Sequence, residues 1–267
     1  MNICHDFRYG KIMYNVLDEY VGKSLKLYGE YSQGESDLFD RLIKPGDCIV
    51  EAGANIGSLT IHLAQLAGDT GVVWAFEPQR LVFQLLAGNM ALNGLTNVHC
   101  EPKGLSDTRG TMRVPVLQAD QAHNWGGTSL AASGETDGEL VEIITVDSMG
   151  LARCDLLKID VEGMSIQVLR GARQTIKRCH PIIYMEREKE HWPEVMQFMH
   201  QMGYKAYVHD TPLYNASNYF NNQEDVFTRI QIDEQGNRVE AHIVSFNALC
   251  LHQDSGIKVE GFKEILA

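Results

Sequence analysis

An apolar run that ends in a glycine-containing turn limits the possible folds of this chain more strongly than any other segment. The run is Cys48-Ile-Val-Glu-Ala52, and the turn Gly53-Ala-Asn-Ile-Gly57 follows it directly. Beyond the turn, Leu59, Leu63 and Leu66 recur at the spacing of one helix face. Because a strand, a glycine turn and a helix in succession form the first half of a βαβ unit, the sequence predicts a parallel sheet.

The same alternation continues along most of the chain. Val72–Phe76 is apolar throughout, as expected for a parallel strand covered by helices on both faces. Further strands are predicted at Val98–Lys103, Thr111–Leu117, Glu142–Val146, Leu156–Val161, Pro181–Met185, Ala206–His209 and His242–Leu251, and helices at Leu81–Leu92, Met164–Lys177 and Trp192–Met202. The pattern predicts an α/β fold with a Rossmann-like, doubly wound, mostly parallel seven-stranded sheet whose last strands are antiparallel.

Two kinds of segment interrupt this alternation. Residues 1–45 are polar and are predicted to form a helical N-terminal lead-in that acts as a lid. The turn sequence Lys44-Pro-Gly-Asp47 separates them from the predicted main domain, residues 46–267. The stretches Gln118–Glu139 and Thr211–Arg238 lack a secondary-structure period and are predicted to be loop or β insertions that shape the acceptor site.

Charge and composition narrow the classes of partner. The chain of 267 residues has a formal net charge of -12, which disfavours a nucleic-acid partner because phosphate binding needs a basic surface. No window approaches 18 consecutive apolar residues, and the polar N-terminus does not resemble a signal peptide, so no membrane association is expected. The six scattered cysteines indicate free thiols and a cytoplasmic location. The sequence leaves open whether the chain forms a homo-oligomer.

The spacing around the glycine turn distinguishes between nucleoside cofactors. The dinucleotide fingerprint G-x-G-x-x-G, aligned on Gly53, would place glycine where Asn55 and Ser58 stand. Glu51 would repel a pyrophosphate but suits S-adenosylmethionine (SAM), which carries a cationic sulfonium and ammonium. Glu77 ends the second strand, where a carboxylate accepts the hydroxyl protons of a ribose in either cofactor. The turn therefore favours SAM over NAD.

Three motifs together resemble a known family. They are Pro45-Gly-Asp47 with Glu51-Ala-Gly-Ala-Asn-Ile-Gly57, then Phe76-Glu-Pro78, and then Leu157-Lys-Ile-Asp-Val-Glu-Gly163 with Val168-Leu-Arg-Gly-Ala172. This combination resembles the FkbM family of SAM-dependent methyltransferases over roughly residues 28 to 190. The K-I-D-V-E-G segment is its most family-specific part. The chain departs from the family pattern with Glu51 in place of the usual Asp, and with Met164-Ser165 where an acidic residue often follows.

The resemblance implies a Rossmann-like sheet and methyl transfer to oxygen, commonly on sugars or natural-product scaffolds. It implies that Glu51–Gly57 holds the methionine part of SAM, that Glu77 holds the ribose, and that Lys103-Gly-Leu105 lies at the adenine edge. Gly29-Glu30 with Glu35 would close over the cofactor. The cofactor-binding residues expected on this basis are Tyr28, Glu30, Glu35, Glu51, Gly53, Ala54, Asn55, Gly57, Ser58, Glu77, Pro78, Gly104, Leu105 and Asp160.

Carboxylates at strand ends are the candidates for proton transfer. An alcohol acceptor must lose its proton as it is methylated, which requires a general base or a metal. Asp160 is predicted to be the base or the group that orients the acceptor, with Glu162 and Glu186 in secondary roles. The alternative is structural: either Asp160 or Glu162 caps a helix or pairs with Lys158.

The insertions contain weaker candidates. His123, Asn124 and Trp125 combine a titratable imidazole, an amide and a ring that could stack on a sugar, although an ordinary loop with incidental polar residues explains them equally well. Asn218-Tyr-Phe-Asn221 is a further acceptor-side candidate. No metal site is expected, because His180 and His191 lack partner ligands at coordinating spacing.

The leading hypothesis is therefore a SAM-dependent O-methyltransferase that modifies a hydroxyl of a small molecule or glycan, with S-adenosylhomocysteine (SAH) as product. Two alternatives remain. One is an NAD-type oxidoreductase, and the other is a non-catalytic regulatory protein that binds SAM or a nucleotide.

Overall fold

A computed structural model describes residues 1–117, 120–122, 124–125, 138–232 and 237–266. The strands are β1 (Asn2–Phe7), β2 (Gly10–Asn15), β3 (Cys48–Ala52), β4 (Val72–Phe76), β5 (Val98–Glu101), β6 (Gly104–Leu105), β7 (Gly110–Val114), β8 (Glu139–Ile144), β9 (Leu156–Ile159), β10 (Ile182–Glu186), β11 (Tyr204–Pro212), β12 (Thr228–Ile232), β13 (Arg238–His242), β14 (Val244–His252) and β15 (Glu264–Ile265). The helices are α1 (Val21–Tyr28), α2 (Gln33–Leu42), α3 (Ser58–Ala67), α4 (Arg80–Leu92), α5 (Ser165–Gly171), α6 (Arg173–Cys179) and α7 (Trp192–Gln201).

The central sheet has the strand order β15-β11-β14-β10-β9-β3-β4-β5. The five strands from β10 to β5 are parallel, and β14, β11 and β15 are antiparallel to their neighbours. This sheet confirms the predicted Rossmann-like, mostly parallel fold with late antiparallel strands. It has eight strands rather than seven because the two-residue β15 adds to its edge.

Helices cover both faces of the sheet, which explains the uninterrupted apolar strands. Ile49 and Val73 pack into a core with the apolar residues of α2, α3 and α4. Their chain neighbours Val50 and Trp74 point to the opposite face and contact the core formed with α5, α6 and α7. Each parallel strand therefore buries both of its faces.

The strand order places a crevice near the middle of the sheet. After β3 the chain adds β4 and β5 on one side, and it later adds β9 and β10 on the other. Because the two sets of connecting helices leave in opposite directions, a gap opens at the carboxyl ends of β3 and β9, where ligands of open α/β sheets bind.

The N-terminal prediction was wrong in part. Residues 1–15 form the antiparallel hairpin β1-β2 rather than a helix, and helices begin only at α1. Side chains of α4 bind the backbone of β2, since Asn89 Oδ1 accepts from the Met13 amide at 2.6 Å and Asn93 Oδ1 accepts from the Lys11 amide at 2.9 Å. Phe7 and apolar residues of α1 and α2 join the core of the main sheet. These tertiary contacts select the extended conformation.

The predicted helix Met164–Lys177 is divided into α5 and α6 at Ala172. At Gly171 the helix passes so close to another chain segment that a Cβ would lie 1.9 Å from the Ser106 carbonyl oxygen. The Ala172 amide then bonds the Leu169 carbonyl at 3.2 Å, which tightens the last turn of α5.

Strands flank the first predicted insertion and enter the second. β6, β7 and β8 form a three-stranded sheet, in which β8 begins at Glu139, three residues before the predicted start. β12 and β13 form a two-stranded hairpin within the predicted second insertion and just after it. In the described part of the chain, no helix has both the length and the apolar character that crossing a bilayer requires.

Candidate active site

A cleft opens at the carboxyl ends of the parallel strands, at the crevice between β3 and β9. It contains about 800 Å³ of empty space, part of it open to solvent, which is within the range of small-molecule sites. Its described lining residues are Tyr20, Val21, Tyr31, Gly53, Asn55, Glu77, Asn124, Asp160, Glu162, Glu186, Leu213, Ile243, Val244 and Ser245. The cleft therefore combines the glycine turn with acidic strand ends and an apolar wall.

The glycine turn brings backbone into the centre of the cleft. Gly53 has φ +80°, and a Cβ there would lie 1.9 Å from the Asp160 carbonyl oxygen, so no larger residue fits without moving that strand end. The Gly53 and Ala54 amides donate to the Phe76 carbonyl at 3.0 and 2.9 Å. Asn55, with φ +50°, then turns the chain toward α3. The turn therefore leaves room for a ligand directly above β3.

Gly57 serves the packing of the helices rather than the cleft. Its φ is +87°, and a Cβ there would lie 2.6 Å from the Met90 methyl group and 2.8 Å from a Leu86 methyl group of α4. Ala54 and Ser58 are likewise buried and do not line the cleft. The sequence pattern thus combines one glycine needed where the turn meets the end of β9 with one needed for helix packing.

Glu77 is fixed at the end of β4 by two backbone amides. Asn55 donates to Oε2 at 3.0 Å and Gln79 donates to Oε1 at 2.9 Å. Burial raises the pKa of this carboxyl to about 7, against the lowering effect of the two amides. A buried carboxylate with a fixed orientation and free lone pairs can accept the hydroxyls of a ribose.

Three further carboxylates lie at or just beyond the ends of β9 and β10. We call Asp160, Glu162 and Glu186 the strand-end carboxylates. The register pairs Ile159 with Met185, so Asp160 and Glu186 occupy adjacent positions across the two strand ends. Burial, followed by Asp160 and Glu162, raises the pKa of Glu186 to about 8. Burial and the neighbouring Asp160 also raise the pKa of Glu162.

The turn that carries Glu162 is held by a carboxylate from the next loop. Gly163 has φ +73°, and its amide donates a short hydrogen bond to Glu188 Oε1. Glu188 follows Glu186 by two residues, so the ends of β9 and β10 are connected beyond the sheet ladder. The sequence analysis missed Glu188, because nothing in a single sequence indicates this pairing.

A buried lysine lies behind these carboxylates. Lys158 of β9 has a side chain only 2% exposed, and its Nζ lies 3.2 Å from Asp160 Oδ2 and 3.6 Å from Glu51 Oε1. Burial by itself lowers the pKa of Lys158, but Asp160, Glu51 and Glu35 outweigh it and raise the pKa above its ordinary value. The pairing of Asp160 with Lys158, foreseen as an alternative, is therefore present.

Glu51 lies beneath the cleft rather than in its lining. Its carboxylate is 1% exposed, accepts a hydrogen bond from Thr60 Oγ1 at 2.6 Å, and pairs with Lys158. Because successive strand residues point to opposite faces, Glu51 faces α3 and cannot reach a ligand above Gly53 without rearrangement. Its charge can still act on such a ligand through space.

The residues of the predicted lid have structural contacts. The Tyr28 hydroxyl donates to the Glu224 carbonyl and accepts from the Val226 amide, each at 3.0 Å. Glu30 is buried and binds Arg8 Nε at 2.7 Å. Neither residue lines the cleft. Tyr20 and Val21, at the start of α1, and Tyr31 line it instead.

Glu35 occupies an intermediate position just behind the cleft wall. It accepts from Ser32 Oγ at 2.6 Å and from Ser245 Oγ at 3.4 Å, and Ser245 itself lines the cleft. Burial raises the pKa of Glu35, while Lys158 lowers it. Glu35 thus connects α2 to the cleft wall.

Other predicted residues lie at the margins or outside the described residues. Pro78 does not line the cleft, and Gly104 and Leu105 form β6, where the predicted adenine contact stays a prediction. His123 lies outside the described residues. Asn124 lines the cleft, and the carbonyl of the buried Trp125 accepts from Gln79 Nε2 at 3.2 Å, so this segment lies near Glu77.

The second insertion contributes to the cleft through residues that the sequence analysis did not select. Asn218–Asn221 contacts the lead-in instead, since the Phe220 amide donates to the Tyr28 carbonyl at 3.1 Å. The insertion and the start of β14 supply Leu213, Ile243 and Val244 to the lining. The antiparallel direction of β14 brings its first residues to the carboxyl ends of the parallel strands, which the predicted late antiparallel strands could have indicated.

The cleft is strongly acidic on its floor and largely apolar on its wall. Glu77 and the strand-end carboxylates supply four acidic side chains, and no Lys or Arg is among the described lining residues. Such a site attracts a cation and repels a pyrophosphate. The geometry agrees with the choice of SAM over NAD.

Comparison with known proteins identifies the family. A profile of the Methyltransferase FkbM domain matches residues 51–206, which is more than half of the 267 residues. The chain belongs to the FkbM methyltransferase family. This membership confirms the predicted family, the methyltransferase class and the SAM cofactor, and it excludes the oxidoreductase alternative.

Two curated proteins and one solved structure each resemble part of this chain. Methyltransferase sdnD of Sordaria araneosa is 30% identical over 154 residues, which are 46% of this chain and 59% of that protein. Methyltransferase 1 of Beauveria bassiana is 27% identical over 180 residues, 57% of this chain and 70% of that protein. A crystal structure of Methyltransferase FkbM from Methylobacillus flagellatus has a TM-score of 0.43 and 16% identity, covering 62% of this chain and 44% of that chain. The chain thus spans less than two thirds of the first curated relative.

The residues of the cleft fit SAM on grounds independent of these relatives. Gly53 lines the cleft, and the absence of a Cβ there lets the turn approach the Asp160 backbone closely at the end of β9. Glu77 presents a fixed carboxylate at the neighbouring strand end, and the strand-end carboxylates supply negative charge for a sulfonium and an ammonium group. The acidic floor and the glycine turn therefore match the shape and charge of this cofactor.

Proposed function

We propose that this FkbM domain transfers a methyl group from SAM to a hydroxyl oxygen of a small molecule or glycan. The observation that carries the proposal is the group of strand-end carboxylates beside the glycine turn in one cleft. When bound, SAM supplies an electrophilic methyl group on a positively charged sulfur. The chain must therefore align an acceptor oxygen with that methyl group and remove the hydroxyl proton.

Cofactor binding is assigned to the two strand ends nearest the turn. Gly53 and Asn55 provide close backbone, and Glu77 accepts the ribose hydroxyls. Asp160 faces the turn across the same gap, with its backbone amide bound to the Ala52 carbonyl at 2.9 Å. Its carboxylate is 49% exposed and is available to a cationic group or to an acceptor hydroxyl.

The strand-end carboxylates divide the acceptor chemistry between them. Asp160 is paired with Lys158, which fixes the position of the carboxylate that orients the acceptor. Glu186 receives the proton that the hydroxyl loses, because a carboxyl with a pKa of about 8 holds a proton near neutral pH far better than an ordinary carboxylate does. A cation in the cleft favours the ionised form of Glu186, so the base becomes available once the site is occupied.

The wall of the cleft suits the body of an acceptor. Val21, Leu213, Ile243 and Val244 add apolar lining to the cleft that also contains the carboxylates. An uncharged acceptor can bury apolar surface there while its hydroxyl faces the carboxylates, whereas a phosphorylated or carboxylated acceptor would be repelled. This division supports a neutral alcohol as substrate.

The test measures SAH release with a panel of neutral sugars, macrolides and phenols. Asp160→Asn and Glu186→Gln are each expected to lower turnover by about 100-fold or more while SAM affinity stays within a few-fold of the wild type. Glu190→Gln is the matched control, since Glu190 is exposed and lies four residues beyond Glu186. Full turnover in the Asp160→Asn variant would remove Asp160 from the mechanism.

A non-catalytic SAM-binding protein is the second candidate. The buried pair of Asp160 with Lys158 favours it, because a carboxylate used only for structure would show the same contact. Binding of SAM without SAH release from any acceptor in the panel would support this interpretation over methyl transfer.

A further inference from the structure

Lys158 lies where three elements of the chain meet behind the cleft. It points from β9 toward Glu51 of β3 and Asp160, and Glu35 of α2 acts on its charge as well. Its side chain is 2% exposed, so it cannot bind an acceptor directly without rearrangement. Burying an ammonium group costs several kcal/mol unless close partners offset it, which makes its position here a feature that requires explanation.

Stability alone does not explain the arrangement. A buried ion pair is seldom more stable than apolar residues of similar volume, so Lys158 and Glu51 could be replaced by apolar side chains without loss of fold stability. The third partner differs from the other two, because the Asp160 carboxylate is 49% exposed in the cleft while Glu51 is 1% exposed. The lysine therefore connects a buried charge network with one group that faces the ligand space.

We propose that Lys158 is a positioning residue for methyl transfer: its buried ammonium fixes the Asp160 carboxylate at the cleft floor and offsets the negative charge of the strand-end carboxylates. This inference rests on the proposed function. It deepens that function, because it assigns the orientation and charge balance of the acceptor side to a residue that touches neither acceptor nor cofactor.

The groups that act on the charge of Lys158 are Asp160 after β9, Glu51 on β3 and Glu35 on α2, and Lys158 in turn acts on Glu186 of β10. Further titratable groups act on Asp160 or Glu186, or are acted on by them: Glu162, Glu188, Tyr31 and Tyr184. Lys158 lowers the pKa of Glu186, whereas burial and the neighbouring carboxylates raise it. Loss of the ammonium should therefore move the ionisation of Glu186 to higher pH.

The experiment compares three variants at Lys158 and one control variant, all of the full chain. Lys158→Met removes the ammonium but leaves Glu51 buried without its partner, so folding is checked by thermal unfolding. The double variant Glu51→Gln with Lys158→Met removes both buried charges and keeps the protein testable if the single variant fails to fold. Lys158→Arg retains a cation, and Lys205→Met, which alters an exposed lysine paired with Glu264 at the edge of the sheet, is the control.

The decisive readout is the pH profile of kcat/KM. In the double variant we expect the ascending limb of this profile to move to higher pH by about one unit, which is the size of a Coulombic interaction near a protein surface. We also expect kcat to be at least 10-fold lower than in the wild type. Lys158→Arg should restore part of the shift in the limb and part of kcat, and Lys205→Met should change neither quantity. A folded double variant with the wild-type limb and kcat would overturn the inference and leave Lys158 a structural residue.

A second readout needs no turnover. SAM is titrated into the wild type and the double variant by calorimetry, in buffers of different ionisation enthalpy, and the number of protons released is obtained as a function of pH. The release profile should move to higher pH in the double variant, and identical profiles would contradict the inference. If the wild type binds SAM but methylates no acceptor, the proposed function fails while this titration still tests Lys158.

Discussion

The parallel strands of the central sheet use carboxylates differently at their two ends, which we call the amino edge and the carboxyl edge. At the amino edge, Asp47 and Asp155 both pair with Arg153, at 2.8 and 2.6 Å. Each of these carboxylates also accepts a backbone amide at 2.8 Å, from Lys44 or Cys48. At the carboxyl edge, four acidic side chains line the cleft, and the cation Lys158 behind them is shared with the buried Glu51.

The difference separates structural charge from functional charge. Carboxylates at the amino edge are paired with Arg153 and with backbone amides of the fold. These contacts hold the strand starts in place. Carboxylates at the cleft carry more negative charge than their protein partners offset, and burial raises the pKa of Glu77 to about 7 and of Glu186 to about 8. A fold retains such unfavourable charge where a cationic ligand completes the site.

The largest expected effect comes from disturbing the close approach of the glycine turn to the end of β9, where both line the cleft. Gly53→Ala should weaken SAM binding by more than about 100-fold, because the new Cβ would lie 1.9 Å from the Asp160 carbonyl oxygen in a left-handed backbone conformation. Calorimetric titration with SAM and SAH measures the change. Gly150→Ala is the control, since Gly150 is left-handed with φ +63° and a Cβ added there would have nothing within 4 Å.

That control distinguishes backbone strain alone from displacement of the turn and the end of β9. Gly150→Ala should cost about 1 kcal/mol of stability and leave SAM affinity unchanged. If both variants bound SAM equally well, the space above Gly53 would not be the cofactor site.

The pH dependence of stability should distinguish the acidic floor from the rest of the fold. The folded pKa of Glu186 is about 8, above the ordinary value of 4.5, so between these pH values the unfolded chain binds fewer protons than the folded one. Stability is therefore highest below the unfolded pKa and declines as pH rises toward 8. Glu186→Gln should flatten this decline, by a few kcal/mol at most, in urea unfolding at pH 5, 7 and 9 without SAM.

An unchanged pH slope in the Glu186→Gln variant would show that Glu186 ionises as readily in the folded chain as in the unfolded one. The same variant also gives the turnover test above, so stability and catalysis are measured on one protein. If Glu186→Gln is more stable than the wild type at pH 9 but slower in methyl transfer, the negative charge of Glu186 opposes folding and serves the reaction.

At the amino edge we expect loss of a carboxylate to lower stability and to leave SAM affinity nearly unchanged. Asp155→Ala removes the acceptor for the Cys48 amide and one partner of Arg153, and it should lower the free energy of unfolding by about 1–3 kcal/mol. SAM affinity should stay within two-fold. Asp69→Ala, at an exposed position, should change stability by less than about 0.5 kcal/mol. A marked loss of SAM affinity on Asp155→Ala would mean that the two edges are not independent.

The sequence predicted the parts of the fold that follow from local pattern. The strand, turn and helix around Gly53 and the apolar run Val72–Phe76 were identified because a sheet buried on both faces needs uninterrupted apolar strands. The hairpin at residues 1–15 was missed because its strands are mostly half-buried or exposed and are held by Asn89 and Asn93, more than 70 residues away.

The site was predictable to the same extent. Strand ends in a parallel sheet meet at one edge, so Glu77, Asp160 and Glu186 could be placed together from the element pattern alone. The wall residues Val21 and Leu213 could not, because tertiary packing of the lead-in and of the second insertion brings them to the cleft. Glu51 was expected near the cofactor because of its position beside the turn, but its side chain is directed inward to Lys158.

The smallest expected effect isolates the charge of the sulfonium. SAM and SAH differ by one methyl group and one positive charge, so they occupy the same space while only SAM adds a cation beside the strand-end carboxylates. A cation favours the ionised carboxylate, and at pH 7 a carboxyl with a pKa of about 8 is mostly protonated in the free protein. We therefore expect SAM to release more protons on binding than SAH does, by a fraction of one proton, in calorimetry without acceptor. Glu186→Gln should reduce that difference, and equal proton release by the two ligands would show that the acidic floor does not sense the sulfonium.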